Sequence, residues 1–291
     1  MRKTRFSLIM FSILAMIASV YAFSGGPDDS GPLLWEIEGE SPSYILGTIH
    51  LPDSRVTNLP RVVQEKFTEC GTFVMEIEMN TQASMEIAGM MLLPGDTTIS
   101  DLVSDEMYER IKAQLESMGQ DITTYQKFKP WAINMIISIP RDTSVTPMDM
   151  MLYEWANNQE KEVVGLETVK QQVSLFDGLT YEQQIEMMDE TIEEYEQYSE
   201  YLENMVGLYL DGDLEGLYRF INEFSEDEED KAFMDALLTK RNYRMVGGII
   251  PQVDKGGAFI AVGAGHLAGD EGILKLLEDK GYKLTRVEAI E

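Results

Sequence analysis

The two histidines of this 291-residue chain stand in matching surroundings. His50 and His266 each follow a glycine by three residues, Gly47 and Gly263, and each comes just after an apolar run and just before a leucine. A glycine at the end of a strand allows a sharp turn and a close approach to a ligand. Neutral imidazole is the commonest side-chain ligand of transition metals. The pattern predicts two loops that converge on one metal ion, although a lone buried histidine is more often structural.

The segment Phe73–Glu78 offers acidic side chains that could complete such a site. Because side chains alternate along a strand, Glu76 and Glu78 are predicted to share one face. We expect one or both to point at the same sheet edge as His50. Glu76 could complete the metal shell or accept a proton from a metal-bound water. For Glu78, a solvent-facing strand acid is an equally good interpretation.

The elements that must position these residues are predicted near both ends of the chain. Alternation and apolar runs predict strands at 33–38, 43–51, 71–79, 258–262 and 282–287, with helices at 59–70 and 270–280. A helix between the last two strands predicts a right-handed βαβ unit with parallel pairing. Strands at both ends of the chain predict that the two termini share one sheet.

The middle of the chain, about 100–250, is predicted to be mostly helical. Helices are predicted at 104–118, from Pro130 onward, at 147–159, at 180–210 and within 225–250, with one strand at 162–166. The sequence therefore predicts an α/β (α+β) fold in which a mixed β-sheet core comes from both chain ends and a large helical section lies between them. We expect residues 33–291 to form one domain.

The first 22 residues have the layout of a secretory signal peptide. Three basic residues precede an apolar stretch that ends with small residues up to Ala22. We therefore expect cleavage after Ala22, a linker at 23–32, and export to the periplasm or the extracellular space. An uncleaved N-terminal membrane anchor is the alternative. No later apolar run approaches the ~20 residues that a membrane-spanning helix needs, so no span is expected once the signal is removed.

Composition excludes several classes of protein. The chain has 51 Asp and Glu against 23 Lys and Arg, a formal net charge of −28. So negative a surface repels phosphate backbones, and we expect no nucleic-acid partner. A hydrophobic content of 44% is far too high for a disordered acidic tail. Cys70 is the only cysteine, so no disulfide can form within the chain.

The ordered motifs resemble those of the TraB/GumN family, which includes the TIKI proteins and the pheromone-shutdown protein PrgY. The resemblance covers about Leu33 to Val287. Besides the paired Gly-x-x-His segments, it is carried by Lys129-Pro130-Trp131-Ala132, Val164-Gly165-Leu166-Glu167-Thr168 with Gln172, Lys240-Arg241-Asn242 with Met245, and the stretch Phe259–Val287.

The resemblance implies a fold related to erythromycin-esterase-like and ChaN-like proteins. It also implies a metal-dependent, peptidase-like hydrolase that acts on a peptide or protein substrate. The implied cofactor is a divalent transition metal, Mn or Co in the first place and Zn or Fe in the second. By the same resemblance, His50 and His266 are the metal-site histidines, Glu76 is the site acid, and Arg241 and Asn242 are a polar pair that faces the site.

Several questions stay open at the level of sequence. Arg241 could bind a substrate carboxylate or stabilise an oxyanion, or it could form a structural ion pair. Glu167, at the end of a predicted strand, is a further candidate for the site. The alternative to a hydrolase is a non-catalytic protein of the same fold that sequesters a peptide or a metal. The substrate and the oligomeric state do not follow from the sequence.

Overall fold

The computed structural model describes residues 31–138, 145–222 and 228–288. The predicted signal peptide and most of the predicted linker lie outside the described residues. Within them, the chain forms a sheet of six strands. The strands are β1 Leu34–Ile37, β2 Ser43–Thr48, β3 Thr72–Met75, β4 Glu162–Gly165, β5 Ala258–Gly263 and β6 Leu284–Arg286.

The sheet is mixed and is built from both ends of the chain. Its strands lie in the order β4-β3-β5-β2-β1-β6. β5 runs parallel to its two neighbours β3 and β2, β3 runs parallel to β4, and β1 is antiparallel to both β2 and β6. β2 and β5 are buried along their whole length, as expected for parallel strands covered on both faces. The predicted α/β fold with a mixed sheet is confirmed.

The pairing predicted for the last two strands is wrong. β6 does not pair with β5; it pairs with β1 in antiparallel register, at the edge of the sheet. Both positions beside β5 are taken by β2 and β3, whose side chains are almost entirely buried. β6 is only partly buried and carries Thr285 and Arg286, polar residues that suit the edge of a sheet better than its buried centre.

Helices supply most of the rest of the described chain. They are α1 Ser54–Thr57, α2 Arg61–Glu69, α3 Thr81–Met90, α4 Ile99–Leu102, α5 Asp105–Ser117, α6 Pro130–Ser138, α7 Met148–Asn158, α8 Val169–Asp177, α9 Tyr181–Glu193, α10 Tyr195–Leu210, α11 Leu214–Asn222, α12 Glu228–Met234, α13 Lys240–Lys255 and α14 Ile273–Glu278. Short 3₁₀ turns occupy Ile122–Tyr125 and Ala264–His266, and a π-helical turn occupies Asp235–Thr239.

Three predicted elements differ from those observed by more than a few residues at their ends or in their continuity. The long helix expected at 180–210 is two helices, α9 and α10, that separate at Glu194 (φ −99°, ψ 4°). The helix expected within 225–250 contains the π-helical turn just before α13, and such turns often occur at functional sites. The strand expected at 71–79 ends at Met75, so the alternation that placed Glu76 and Glu78 on one face stops before Glu76.

The sheet and the helices around it form one large apolar core. Its largest fully buried side chains include Trp131, Phe67, Phe73 and Phe259. A smaller cluster joins α5, α6 and α9 through residues such as Ile111, Ile133 and Met188. Among the described helices, none combines the length and the apolar character needed to cross a lipid bilayer.

Candidate functional site

The register of the sheet brings the two histidines to one edge. β2 and β5 are adjacent parallel strands in which Thr48 pairs with Gly263, so His50 and His266 follow neighbouring strand ends. β3 is the parallel neighbour on the other side of β5, and Glu76 is the first residue after it. The carboxyl ends of parallel strands are where open α/β sheets place their ligand sites. The residues predicted from sequence as a cluster therefore lie together.

Gly263 lies at the centre of this cluster. A Cβ atom at this position would stand 3.4 Å from Glu76 Oε1, 3.6 Å from His266 Cδ2 and 3.7 Å from His50 Nε2. The backbone N–H of Gly263 also donates to Glu76 Oε1 at 2.8 Å. The missing side chain leaves a small space bordered by two imidazoles and a carboxylate, which accounts for the glycine three residues before His266.

His50 is oriented by an acidic residue that the sequence analysis missed. Its Nδ1 lies 2.5 Å from Asp149 Oδ2, and Thr48 Oγ1 donates to Asp149 Oδ1 at 3.0 Å. Loss of water around His50 alone would lower its pKa, but the negative charge and hydrogen bond of Asp149 outweigh this and raise the pKa to about 9. The ring is 43% exposed, and its Nε2 faces Glu76 Oε1 at 4.0 Å.

His266 is buried and is held by the other predicted polar residue, Asn242. Its Nδ1 lies 2.7 Å from Asn242 Oδ1, and the amide nitrogen of Asn242 donates to the backbone carbonyl of Glu271 at 2.8 Å. The amide oxygen is therefore the acceptor, so Nδ1 of His266 carries the proton and Nε2 keeps its lone pair. Burial, and then the positive charge of Arg241, lower the pKa of His266 to about 3. The ring is thus the neutral form that metals bind.

Glu76 is buried and has a hydrogen-bond donor at both carboxylate oxygens. Oε2 accepts from Arg241 Nη2 at 2.6 Å and from Gln172 Nε2 at 2.8 Å, in addition to the bond from Gly263 to Oε1. Burial alone would raise the pKa of Glu76, but the charge of Arg241 and the bond from Gly263 hold it well below its usual range. The carboxylate is therefore charged at any ordinary pH.

Arg241 forms buried ion pairs on two sides. Besides Glu76, it binds Glu167 through Nε at 2.8 Å and through Nη2 at 2.7 Å. The Glu167 side chain is fully buried and also accepts from Arg244 Nη1 at 2.6 Å. Of the roles considered for Arg241 from the sequence, the structural ion pair is the one observed. Glu167 is connected to the site through its ion pair with Arg241.

Asp149 and Glu78 illustrate what the sequence could and could not indicate. Asp149 lies in the first turn of α7, a helix that was predicted, but nothing in the sequence ties it to a histidine 99 residues away. Among the described residues, the hydrogen-bond and ion-pair partners of His50 are Asp149 and Glu76 rather than Glu78, and Glu78 is not among those that line the cavity at the site. The strand alternation that placed Glu78 on the same face as Glu76 does not apply, because β3 ends at Met75.

A cavity of about 320 Å³ opens onto these residues. His50, Glu76, Asp149, Arg241 and His266 all line it. The polar groups therefore stand at the wall of a space that is large enough for part of a substrate, within the ~300–1,000 Å³ typical of ligand pockets.

The donor set suits a divalent transition metal. Both histidines have Nδ1 held by an outer partner, and neither Nε2 forms a hydrogen bond within the described residues, the arrangement usual for metal-binding imidazoles. The raised pKa keeps His50 protonated at neutral pH, so its Nε2 would release a proton when an ion binds. Two ligand atoms that each lie ~2.1 Å from one ion can be at most ~4.2 Å apart. His50 Nε2 and Glu76 Oε1 are 4.0 Å apart, which is within that limit. Among the described side chains, however, no three His, Cys, Asp or Glu are already grouped tightly enough to hold an ion.

Comparison with known proteins gives a consistent result over most of the chain. The model of the TraB/PrgY/gumN family matches residues 33–286. Metalloprotease TIKI1 of Danio rerio is 23% identical over 316 aligned positions, which cover 90% of this chain and 64% of the relative. Metalloprotease TIKI2 of Xenopus tropicalis is 24% identical, with coverage of 90% and 61%.

A bacterial relative is matched over a larger share of its own length. The uncharacterized protein YbaP of Shigella flexneri is 20% identical over 247 positions, which cover 83% of this chain and 89% of YbaP. The chain thus spans between 61% and 64% of the TIKI proteins named above and most of YbaP. No solved structure matches the chain, so the relation to erythromycin-esterase-like and ChaN-like folds stays a prediction.

Proposed function

Because this chain belongs to the TraB/PrgY/gumN family, we propose that it is a metal-dependent hydrolase, a peptidase that acts on a peptide or protein substrate. The relatives named metalloproteases support this activity class. The observation that carries the proposal is the space around Gly263, bordered by His50 Nε2, His266 and Glu76 Oε1. Three side chains of the types that bind transition metals border it, each from the segment that follows one of three adjacent parallel strands.

In this proposal His50, His266 and Glu76 hold the ion, with Mn or Co as the first candidates and Zn or Fe as the second. When bound, such an ion lowers the pKa of its water and polarises the scissile carbonyl. Asp149 and Asn242 keep the two imidazoles in the tautomer and orientation that present Nε2. The lowered pKa of Glu76 makes it a weak proton acceptor, so its ligand role is favoured over the role of general base.

Arg241 then acts on Glu76 rather than on the substrate. Its guanidinium keeps the carboxylate charged and directed toward the space beside Gly263. Glu167 compensates the charge of Arg241 from the opposite side. We therefore propose Arg241 as a positioning residue, with Asn242 playing the corresponding part for His266.

The experiment that tests this function uses Gly263→Ala. Its backbone angles (φ −52°, ψ 134°) suit alanine, and the added methyl group would be at ordinary contact distance from all three donors. We expect the variant to fold normally but to bind Mn²⁺ or Co²⁺ at least about tenfold more weakly, because the methyl group fills the proposed ion space. Calorimetric titration of the metal, together with cleavage of a fluorescence-quenched peptide library, measures both effects.

Gly247→Ala is the matched control for that experiment. Gly247 lies in α13, and a Cβ atom there would meet nothing within 4 Å. This variant should keep the metal affinity and the peptidase activity of the wild type. The proposal is wrong if Gly263→Ala binds metal and cleaves peptides as well as Gly247→Ala does.

Asp149→Asn tests the positioning of His50. Removal of the negative charge beside Nδ1 should lower metal affinity by about 10–100-fold, the usual cost of losing such a partner. Glu154→Gln removes the same charge from an exposed position on the same helix and should change nothing. Equal affinities for the two variants would show that Asp149 does not orient a metal ligand.

One observation favours a second candidate function, the sequestration of a peptide or metal without catalysis. Arg241 is engaged by Glu76 and Glu167, so a guanidinium that could have stabilised an oxyanion is instead held in ion pairs. A labelled peptide that stays bound and uncut through a long incubation with Mn²⁺ or Co²⁺ would favour this candidate. Steady cleavage that stops on addition of a chelator would exclude it.

The proposed place of action is the periplasm or the extracellular space. It rests on residues 1–22, whose basic start, apolar stretch and final Ala22 are those of a signal peptide. Mass spectrometry of the chain recovered from an exporting host should find Phe23 as the first residue. A chain that retains residue 1 and sediments with membranes would instead indicate an N-terminal anchor.

A further inference from the structure

The candidate metal ligands occupy only one end of the cavity described above. Every polar side chain among the described lining residues belongs to that end. Thr48 is bonded to Asp149, and Gln172 is bonded to Glu76. The rest of the described lining is apolar and comes from several elements, with Ile87 on α3, Trp131 and Met135 on α6, Met150 on α7, and Leu175 and Phe176 on α8.

We propose that this apolar part of the cavity, the apolar subsite, receives a large uncharged side chain of the peptide substrate beside the bond held at the polar end. The inference rests on the proposed function and names its substrate class. A charged side chain in the apolar subsite would lose its water without gaining a partner, which is costly. The volume of about 320 Å³ suits side chains rather than a folded domain.

The residues that line the apolar subsite indicate that it can bind several kinds of apolar side chain. Met75, Met79, Met135 and Met150 all line the cavity. Methionine is unbranched and adapts its shape to what it contacts, and methionine-rich surfaces bind varied apolar partners. The apolar subsite should therefore accept leucine, methionine and phenylalanine alike and reject lysine, aspartate and glutamate.

Helix α3 gives the subsite an open side. Ala83 is its only buried residue, Ile87 is half-buried at the cavity, and Met85, two residues earlier, is 71% exposed. An apolar side chain that enters the cavity would cover Ile87 and leave Met85 in solvent. Burial of one large apolar side chain improves affinity by about tenfold or more.

The net charge of the chain favours a different class of peptide from the one that the apolar subsite favours, so the two effects can be told apart by experiment. With 51 acidic and 23 basic residues, the protein attracts cationic peptides over long distances. If charge alone governed binding, lysine peptides would bind best. If the apolar subsite governs it, leucine peptides bind best, and added salt does not weaken them.

The experiment measures binding without catalysis. Fluorescein-labelled Gly-Gly-Leu-Leu-Gly-Gly and the same peptide with both leucines replaced by lysine or by serine are titrated by polarisation with the full chain in EDTA at 0.15 M salt. We expect the leucine peptide to bind about tenfold more tightly than the other two. Ile87→Asp should remove that preference, and Met85→Asp, which places the same charge on the other side of α3, should preserve it.

Leu175→Asp provides a second route if Ile87→Asp fails to fold. Leu175 is half-buried on α8, a helix that packs against α3 and also lines the cavity, and its replacement by aspartate should have the same effect. The inference is overturned if the lysine peptide binds as tightly as the leucine peptide, or if Met85→Asp and the two cavity variants lose affinity equally. Leucine-selective binding without any cleavage on addition of Mn²⁺ or Co²⁺ would support the subsite and refute the hydrolase.

Discussion

His50→Ala should reduce metal-dependent peptide cleavage by at least about a thousandfold. The change removes one of the proposed metal ligands, and the Lewis-acid and water-activating effects of an ion are together worth several kcal/mol of barrier. His50 is 43% exposed, so the truncation leaves no large cavity, but it removes the ion-pair partner of the 17% exposed Asp149 and should lower the melting temperature moderately. His266→Ala should abolish cleavage to the same extent, although its burial makes some loss of stability inevitable.

The measurement is the initial rate on a fluorescence-quenched peptide with Mn²⁺ or Co²⁺ at saturation, with circular dichroism melting as the check on folding. Arg61→Ala is a suitable control, because Arg61 lies on the exposed side of α2, where it pairs with Glu65. Activity in either histidine variant comparable with that of the control would refute a site that needs both histidines.

Arg241→Met should lower the free energy of unfolding by about 3–5 kcal/mol. The guanidinium is 6% exposed and compensates the charge of two carboxylates, Glu76 and Glu167. Removal of one partner of a buried ion pair is costly because the remaining charge has no partner. For a chain of this size the melting temperature should fall by roughly 5–15 °C.

Arg244→Met is the matched control, because Arg244 binds the same Glu167 but is 40% exposed. Glu167 then keeps Arg241 as a partner, so the loss should be within about 1 kcal/mol. Arg241→Lys should fall between the two, since an ammonium group cannot reproduce the two-sided contact of the guanidinium. Equal stability of Arg241→Met and Arg244→Met would mean that the buried ion pairs do not hold Glu76 in place.

Much of the site could be predicted because its signal is local. Gly47 with His50 and Gly263 with His266 are each separated by three residues, and each follows an apolar strand. Parallel neighbours end at the same sheet edge, so two such strands are sufficient to predict convergence. Glu76 was predicted from alternation within a strand expected at 71–79, whereas it lies at this edge because β3 ends at Met75 and Glu76 directly follows.

The missed features depend on contacts between distant parts of the chain. Asp149 reaches His50 only because α7 packs with its first turn at this edge, and no spacing rule links residues 99 positions apart. The edge position of β6 depends on which strands already flank β5. The ion pairs of Arg241 likewise join α13 to two other segments, so the sequence could name the residue but not choose among its roles.

The central claim is that one ion is shared by the two histidines. The direct test is the metal content of the purified full chain, of His50→Ala and of His266→Ala, measured by plasma mass spectrometry after incubation with Mn²⁺ or Co²⁺ and removal of free metal. We expect about one ion per wild-type chain and almost none in either variant. A wild-type chain that retains no metal, or a variant that retains as much as the wild type, would contradict it.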